Sequence, residues 1–136
     1  MKKKRTACLC MGVLLLFLLT GCSRFVALNQ VDKIEKIVIT DENDKTLELS
    51  DVSRCEELIE LLTKEADFNG KGKSASYLDS NHLSVYLTIG DTIYSYYIYP
   101  DSIQRTQNTN KSGPIAVYDS ALANRAQTLA NKILSE

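Results

Sequence analysis

The sequence predicts an α+β fold: a single small domain in which an antiparallel sheet of about four to five strands carries two helices, in the order β-β-α-β-β-(β)-α. Three patterns carry this prediction. Residues 83–99 alternate apolar and polar on both sides of Gly90-Asp91, as a hairpin closed by a two-residue turn must. Cys55, Leu58, Ile59, Leu62 and Ala66 recur at helical spacing. So do Leu122, Ala126, Leu129, Ala130 and Ile133 near the other end of the chain.

Each element follows in order. Ile34 to Thr40 is rich in β-branched residues and reads as a strand. Asp41-Glu42-Asn43-Asp44 is a turn cluster, and Thr46 to Leu49 alternates as a second strand closing a hairpin. Ser53-Arg54-Cys55-Glu56 fits a capping box opening the first helix, with Asp51 as the competing cap. Asn69 to Ser74 (NGKGKS) ends that helix as a flexible loop.

The central hairpin has a register fixed by its turn. With Gly90 first in a type II′ turn, Ile89 faces Thr92, Leu87 faces Tyr94, Val85 faces Tyr96 and Leu83 faces Ile98. One face is therefore apolar and includes Tyr94 and Tyr96. The other carries Tyr86, Tyr97 and Tyr99 with Ser84, Thr88 and Ile93, and His82 lies at its end. Pro100 stops the strand. A short strand near Ile103 to Thr106 and an edge strand at Ile115 to Tyr118 precede a last helix, capped by Asp119 and running to about Leu134.

The N-terminus has its own logic. Lys2, Lys3, Lys4 and Arg5 form a positive cluster that stays on the cytoplasmic side of a membrane. Ala7 to Leu19 is an apolar run of 13 residues. As a helix it reaches roughly 20 Å, short of the ~30 Å hydrocarbon core. It reads as a signal segment in preference to a permanent span. Behind it, Leu19-Thr20-Gly21-Cys22 resembles the lipobox of bacterial lipoproteins, with Thr in place of the commoner Ala or Ser before the glycine. The resemblance implies a diacylglyceryl group on the sulfur of Cys22 and cleavage just before it. It implies further that the product is a lipoprotein anchored on the extracytoplasmic face of the cell membrane. Two acyl chains anchor stably where one does not. The resemblance covers residues 1–22 and carries no fold. In size and element order the remainder resembles small lipoproteins of Gram-positive bacteria.

This divides the chain into a signal peptide (1–21), a lipidated tether (22–32) and an α+β domain (33–136). Cleavage leaves 115 residues. Losing four of the 16 basic residues and none of the 17 acidic ones takes the formal charge from −1 to −5. A mildly acidic chain disfavours nucleic acid as a partner. Cys55 is then the one thiol not removed or lipidated, so no internal disulfide forms and the apolar core must suffice.

Candidate chemistry is sparse. Counted from Asp41, an EF-hand would need Gly at Thr46 and a bidentate Glu at Val52. Gly72-Lys73-Ser74 matches the end of a phosphate loop, but its first glycine falls on Asp67 and it follows a helix. Cys55 lies near a helix start, where a thiolate is favoured, yet also on the apolar stripe. His82, the chain's only histidine, lacks partners for a metal site or a serine triad. No cofactor is expected, and the chain reads as a binding module and not an enzyme. Asn110-Lys111-Ser112 matches a glycosylation sequon and reads as a polar loop.

The outer tyrosine surface is the strongest candidate. Tyr86, Tyr97 and Tyr99, with His82 at the end, are stiff and amphipathic, which suits them to holding an envelope protein or peptide. The competing expectation is that the terminal helix covers them as core. Two other functions stay open: a small extracytoplasmic hydrolase using carboxylates, and a structural or inhibitory envelope domain.

Overall fold

A computed structural model describes residues 31–75, 82–107 and 113–136. The lipobox, Cys22 and the sequon lie outside these residues. The described chain forms an α+β domain built on one antiparallel sheet of seven strands. They are β1 (Lys36–Thr40), β2 (Thr46–Leu49), β3 (Lys73–Ser74), β4 (Leu83–Ile89), β5 (Thr92–Ile98), β6 (Ile103–Gln107) and β7 (Ile115–Val117). Their order across the sheet is β2-β1-β4-β5-β6-β7-β3. The expected four to five strands fall short partly because β3 is two residues long, and no alternation can signal it. Lys73 and Ser74 pair with Ala116 and Ile115, so β7 is not an edge strand as its position in the sequence implied.

The central hairpin has the register its turn dictates. Leu83 pairs with Ile98, Val85 with Tyr96, Leu87 with Tyr94 and Ile89 with Thr92. Gly90 has a φ of 58°, and among the described residues Asp44 is the one non-glycine with positive φ. Positive φ at the first turn position alone is what type II′ requires, whereas type I′ needs it at both. Every other described strand aligns on this hairpin. Ile37 and Ile39 pair with Leu87 and Val85, and Ile103 pairs with Ile98. Period-2 geometry then puts Ile37, Ile39, Leu83, Val85, Leu87, Tyr96, Ile98, Ile103 and Val117 on one face, each almost fully buried.

The first helical segment lies on that face. Val52–Cys55 is a 3-10 turn, Glu56–Glu60 (α1) is α-helical, and Leu61–Glu65 widens to a π turn. The expected capping box is not made. Asp51 is the cap, its Oδ1 accepting from Ser53 N at 3.1 Å and from Ser53 Oγ at 2.6 Å. Asp51 wins because it accepts from both Ser53 donors, which leaves Ser53 a donor and not the capping acceptor. The π turn has a packing consequence. A wider turn brings consecutive residues onto one face, and both Leu61 and Leu62 are buried, although Leu61 lies off the helical stripe.

The expected loop after this helix contains order. Asp67 caps a short helix, α2 (Phe68–Lys71), accepting from Gly70 N at 2.8 Å, and the chain then enters β3. Gly72 lies between them. A Cβ there would sit 2.1 Å from the Phe68 carbonyl oxygen and 2.5 Å from Ile115 Cγ2, so only glycine lets α2 lie against β7. The terminal helix, α3 (Ser120–Ser135), starts at Asp119, whose Oδ1 accepts from Leu122 N at 3.1 Å. Its Leu122, Ala123, Ala126, Ala130, Ile133 and Leu134 join Leu58, Ile59, Leu61 and Leu62 and the buried sheet residues in one core. Both long helical segments therefore cover the same face of the sheet.

Candidate functional site

The opposite face is set by the same alternation. Two rows cross it. Val38, Tyr86, Ser95 and Thr106 stand side by side on β1, β4, β5 and β6. Thr40, Ser84, Tyr97 and Gln104 form the next row. Tyr97 is thus directly opposite Ser84, the small residue between His82 and Tyr86 on β4's outer side. The three rings close over that gap. Tyr86 and Tyr97 have centroids 6.2 Å apart with planes at 88°. His82 and Tyr97 are 5.1 Å apart at 87°, and His82 and Tyr99 are 5.4 Å apart at 49°. Perpendicular pairs set the positive edge of one ring against the negative face of the next. Ser84 beneath them is only 5% exposed.

All four expected residues are therefore linked in one chain of ring contacts: Tyr86, Tyr97, His82, Tyr99. Their burial differs. Tyr86, Tyr97 and His82 are half-buried, and Tyr99 is 8% exposed where its backbone N–H donates to Ser102 across the Pro100 turn. The expectation that the terminal helix covers this face is not met, because that helix packs on the other side. The Tyr97 hydroxyl lies among those of Ser95, Thr106 and Tyr86. Partial burial raises its pKa above the ordinary tyrosine value, and the adjacent Tyr86 hydroxyl adds to the rise.

Gln104 belongs to this site and was not legible in advance. It pairs with Tyr97, and its side-chain oxygen is buried and accepts no hydrogen bond. The signal that locates it is the Tyr99-to-Ser102 turn, which aligns Ile103 with Ile98 and so places Gln104 next to Tyr97.

The inner face holds a second unexpected residue. Arg105 is 3% exposed, opposite Tyr96, with its guanidinium carbon 4.6 Å from the centroid of the Phe68 ring. Phe68 and Tyr96 are 6.0 Å apart. Burial pushes the Tyr96 hydroxyl up to about 12, against the favourable field of Arg105. Arg105 stacked on Phe68 ties α2 to the sheet, at a cation–π distance.

The other candidates resolve into structure. Asp41 Oδ1 accepts from the backbone N–H groups of Asn43 and Lys45, both at 2.9 Å, so its carboxylate closes the hairpin turn. Gly72-Lys73-Ser74 runs from helix to strand, the reverse of a phosphate loop. Cys55 is 1% exposed and burial raises its thiol pKa, the opposite of an activated nucleophile. A groove of about 290 Å³ between the helices is lined by Glu56, Glu57 and Glu136, but Glu136 is held by Arg54 at 3.0 Å. Among the described residues no group of three or more His, Cys, Asp or Glu could hold a metal ion. No helix among them is long and apolar enough to cross a membrane. Comparison with family models, with curated proteins and with solved structures finds no match.

Proposed function

We propose that this chain is a membrane-tethered extracytoplasmic lipoprotein, lipidated at Cys22, whose outer sheet face binds another envelope protein or a peptide. The observation that carries the binding half is the placement of both long helical segments on one side of the sheet. That leaves Tyr86, Tyr97 and His82 half-buried on the other side, with no described helix packed over them. Tyrosines held by ring–ring contacts lose little conformational freedom on binding, which favours them as anchors. The tethering half rests on the resemblance of Leu19 to Cys22 to a lipobox.

The direction of the tether fits this reading. The described chain begins at Val31, and β1 starts at Lys36 opposite Thr88, beside the Gly90-Asp91 turn. Glu35 accepts from Gly90 N at 3.3 Å at this same end. His82 and Tyr99 are at the other end of the sheet. A lipid at Cys22 would attach to the domain from its hairpin end, away from the aromatic residues. Eleven tether residues give a reach of at most ~40 Å.

The test is a crosslinking pull-down from intact membranes. Wild type should capture a partner, and Tyr86→Ala with Tyr97→Ala should lose it while keeping the wild-type circular dichroism spectrum. Unchanged capture by the double variant removes this reading. Intact-mass analysis of native material tests the anchor: an unmodified Cys22 thiol, or residues 1–21 still attached, contradicts it.

A further inference from the structure

We infer that the outer face recognises its partner through an arginine side chain, docked over Tyr97 and hydrogen-bonded to Gln104. This deepens the binding reading above and rests on it. Four observations converge. First, the Gln104 side-chain oxygen is buried and without a donor, beside Tyr97. Such an acceptor is costly to leave unmade and is satisfied by an N–H from outside. Gln104 as a whole is half-buried, and its terminal torsion is broad, so a modest rotation offers the oxygen to a ligand. Second, the two rows around it are Val38, Tyr86, Ser95 and Thr106, and Thr40, Ser84, Tyr97 and Gln104. As far as Gln104 they carry oxygen acceptors and no cation; beyond it the second row continues through Ala116 to the exposed Lys73 on β3, two strands away. Lys36, one row away, is 3.7 Å from Glu48.

Third, Tyr86 and His82 stand perpendicular to Tyr97 on either side of Ser84. Ring faces attract cations, and guanidinium stacks on tyrosine. Fourth, the chain after the signal carries a formal charge of −5, which draws a basic partner. Arginine fits better than the alternatives. A quaternary ammonium has no hydrogen to give Gln104. Lysine is a compact, strongly hydrated charge that cannot lie flat on a ring while donating sideways.

The experiment is a titration of the full chain in detergent micelles, followed by NMR of the Gln104 side-chain amide and the Tyr97 signals. The probes are N-acetylarginine amide, N-acetylcitrulline amide and tetramethylammonium chloride. The arginine probe should shift both residues saturably. Citrulline, the same shape without the charge, should bind about 2- to 5-fold more weakly, as loss of an exposed cation–π contact implies. Gln104→Leu should weaken the arginine probe roughly 2- to 10-fold, and Gln104→Glu should tighten it. Equal binding of citrulline, or an unchanged affinity in Gln104→Leu, overturns the inference. Tetramethylammonium shifting the tyrosines while arginine does not would also overturn it, in favour of a methylated-ammonium ligand. Should Gln104→Leu fail to fold, the response of Gln104→Glu decides. Tyrosine-dependent capture of a partner without arginine binding leaves the binding reading standing and removes only this inference.

Discussion

Tyr96 and Tyr97 are neighbours in sequence and lie on opposite faces of the same strand, which makes them a sensitive test of which face is core. Tyr96 is fully buried beneath the helices, with Phe68 6.0 Å away and Arg105 opposite. Truncating a buried aromatic to alanine removes its transfer free energy and leaves a cavity, about 3–5 kcal/mol together. For a domain of about a hundred residues, each kcal/mol lowers Tm by roughly 4 °C, so Tyr96→Ala should melt roughly 12–20 °C below wild type. Tyr97 is half-buried and makes two perpendicular ring contacts, with Tyr86 and His82. At about 0.5–1.5 kcal/mol per pair, Tyr97→Ala should cost about 1–3 kcal/mol, or roughly 4–12 °C. Thermal unfolding of the full chain in detergent, followed by far-ultraviolet circular dichroism, gives both numbers. Equal losses for the two variants would mean that the outer face is a second core, and the argument for a binding surface would fail.

Four further outcomes follow from the structure. Gly72→Ala should destabilise by about 1–3 kcal/mol, because its Cβ meets a backbone oxygen at 2.1 Å. Ser53→Ala, by contrast, should change stability by less than about 0.5 kcal/mol, since Asp51 and not Ser53 is the cap. Asp119→Ala should cost about 1 kcal/mol through loss of the α3 cap, read in the same melts. In alkali, Tyr96 keeps its proton in the folded state up to about 12, while the unfolded chain loses it near 10. The folded state binds the extra proton, so stability is intact below pH 10 and falls by about 1.4 kcal/mol per unit between pH 10 and 12. Urea unfolding across this window, with Tyr96→Phe as the control, should show a slope that the variant loses.

The legible part of this fold was its local periodicity. The Gly90-Asp91 turn determined seven residue pairs of the central hairpin, because a two-residue turn leaves no freedom of register. Asp119 was readable as a cap because a side-chain acceptor before an apolar stripe has one local use. Strand order was not readable: an apolar stripe says that a helix buries one side, not which face of which strand it meets. The same gap hid whether the tyrosine face was core or surface. Leu61 was missed because the π turn is a tertiary adjustment that a regular helical template cannot contain. Arg105 was missed because its alternation with Ile103 and Gln107 does not distinguish a buried cation from an exposed one. Gln104 required the alignment of β6, set by a turn at Tyr99 to Ser102 that the polar sequence disguises.

The most direct measurement is site-specific photocrosslinking in intact cells, with a benzophenone amino acid placed at Tyr86 on the aromatic face or at the exposed Thr128 on the helix layer. A discrete crosslinked protein is expected from position 86 and is expected to be absent from position 128. A crosslink from position 128 alone, or the same product from both, would contradict binding by the aromatic face.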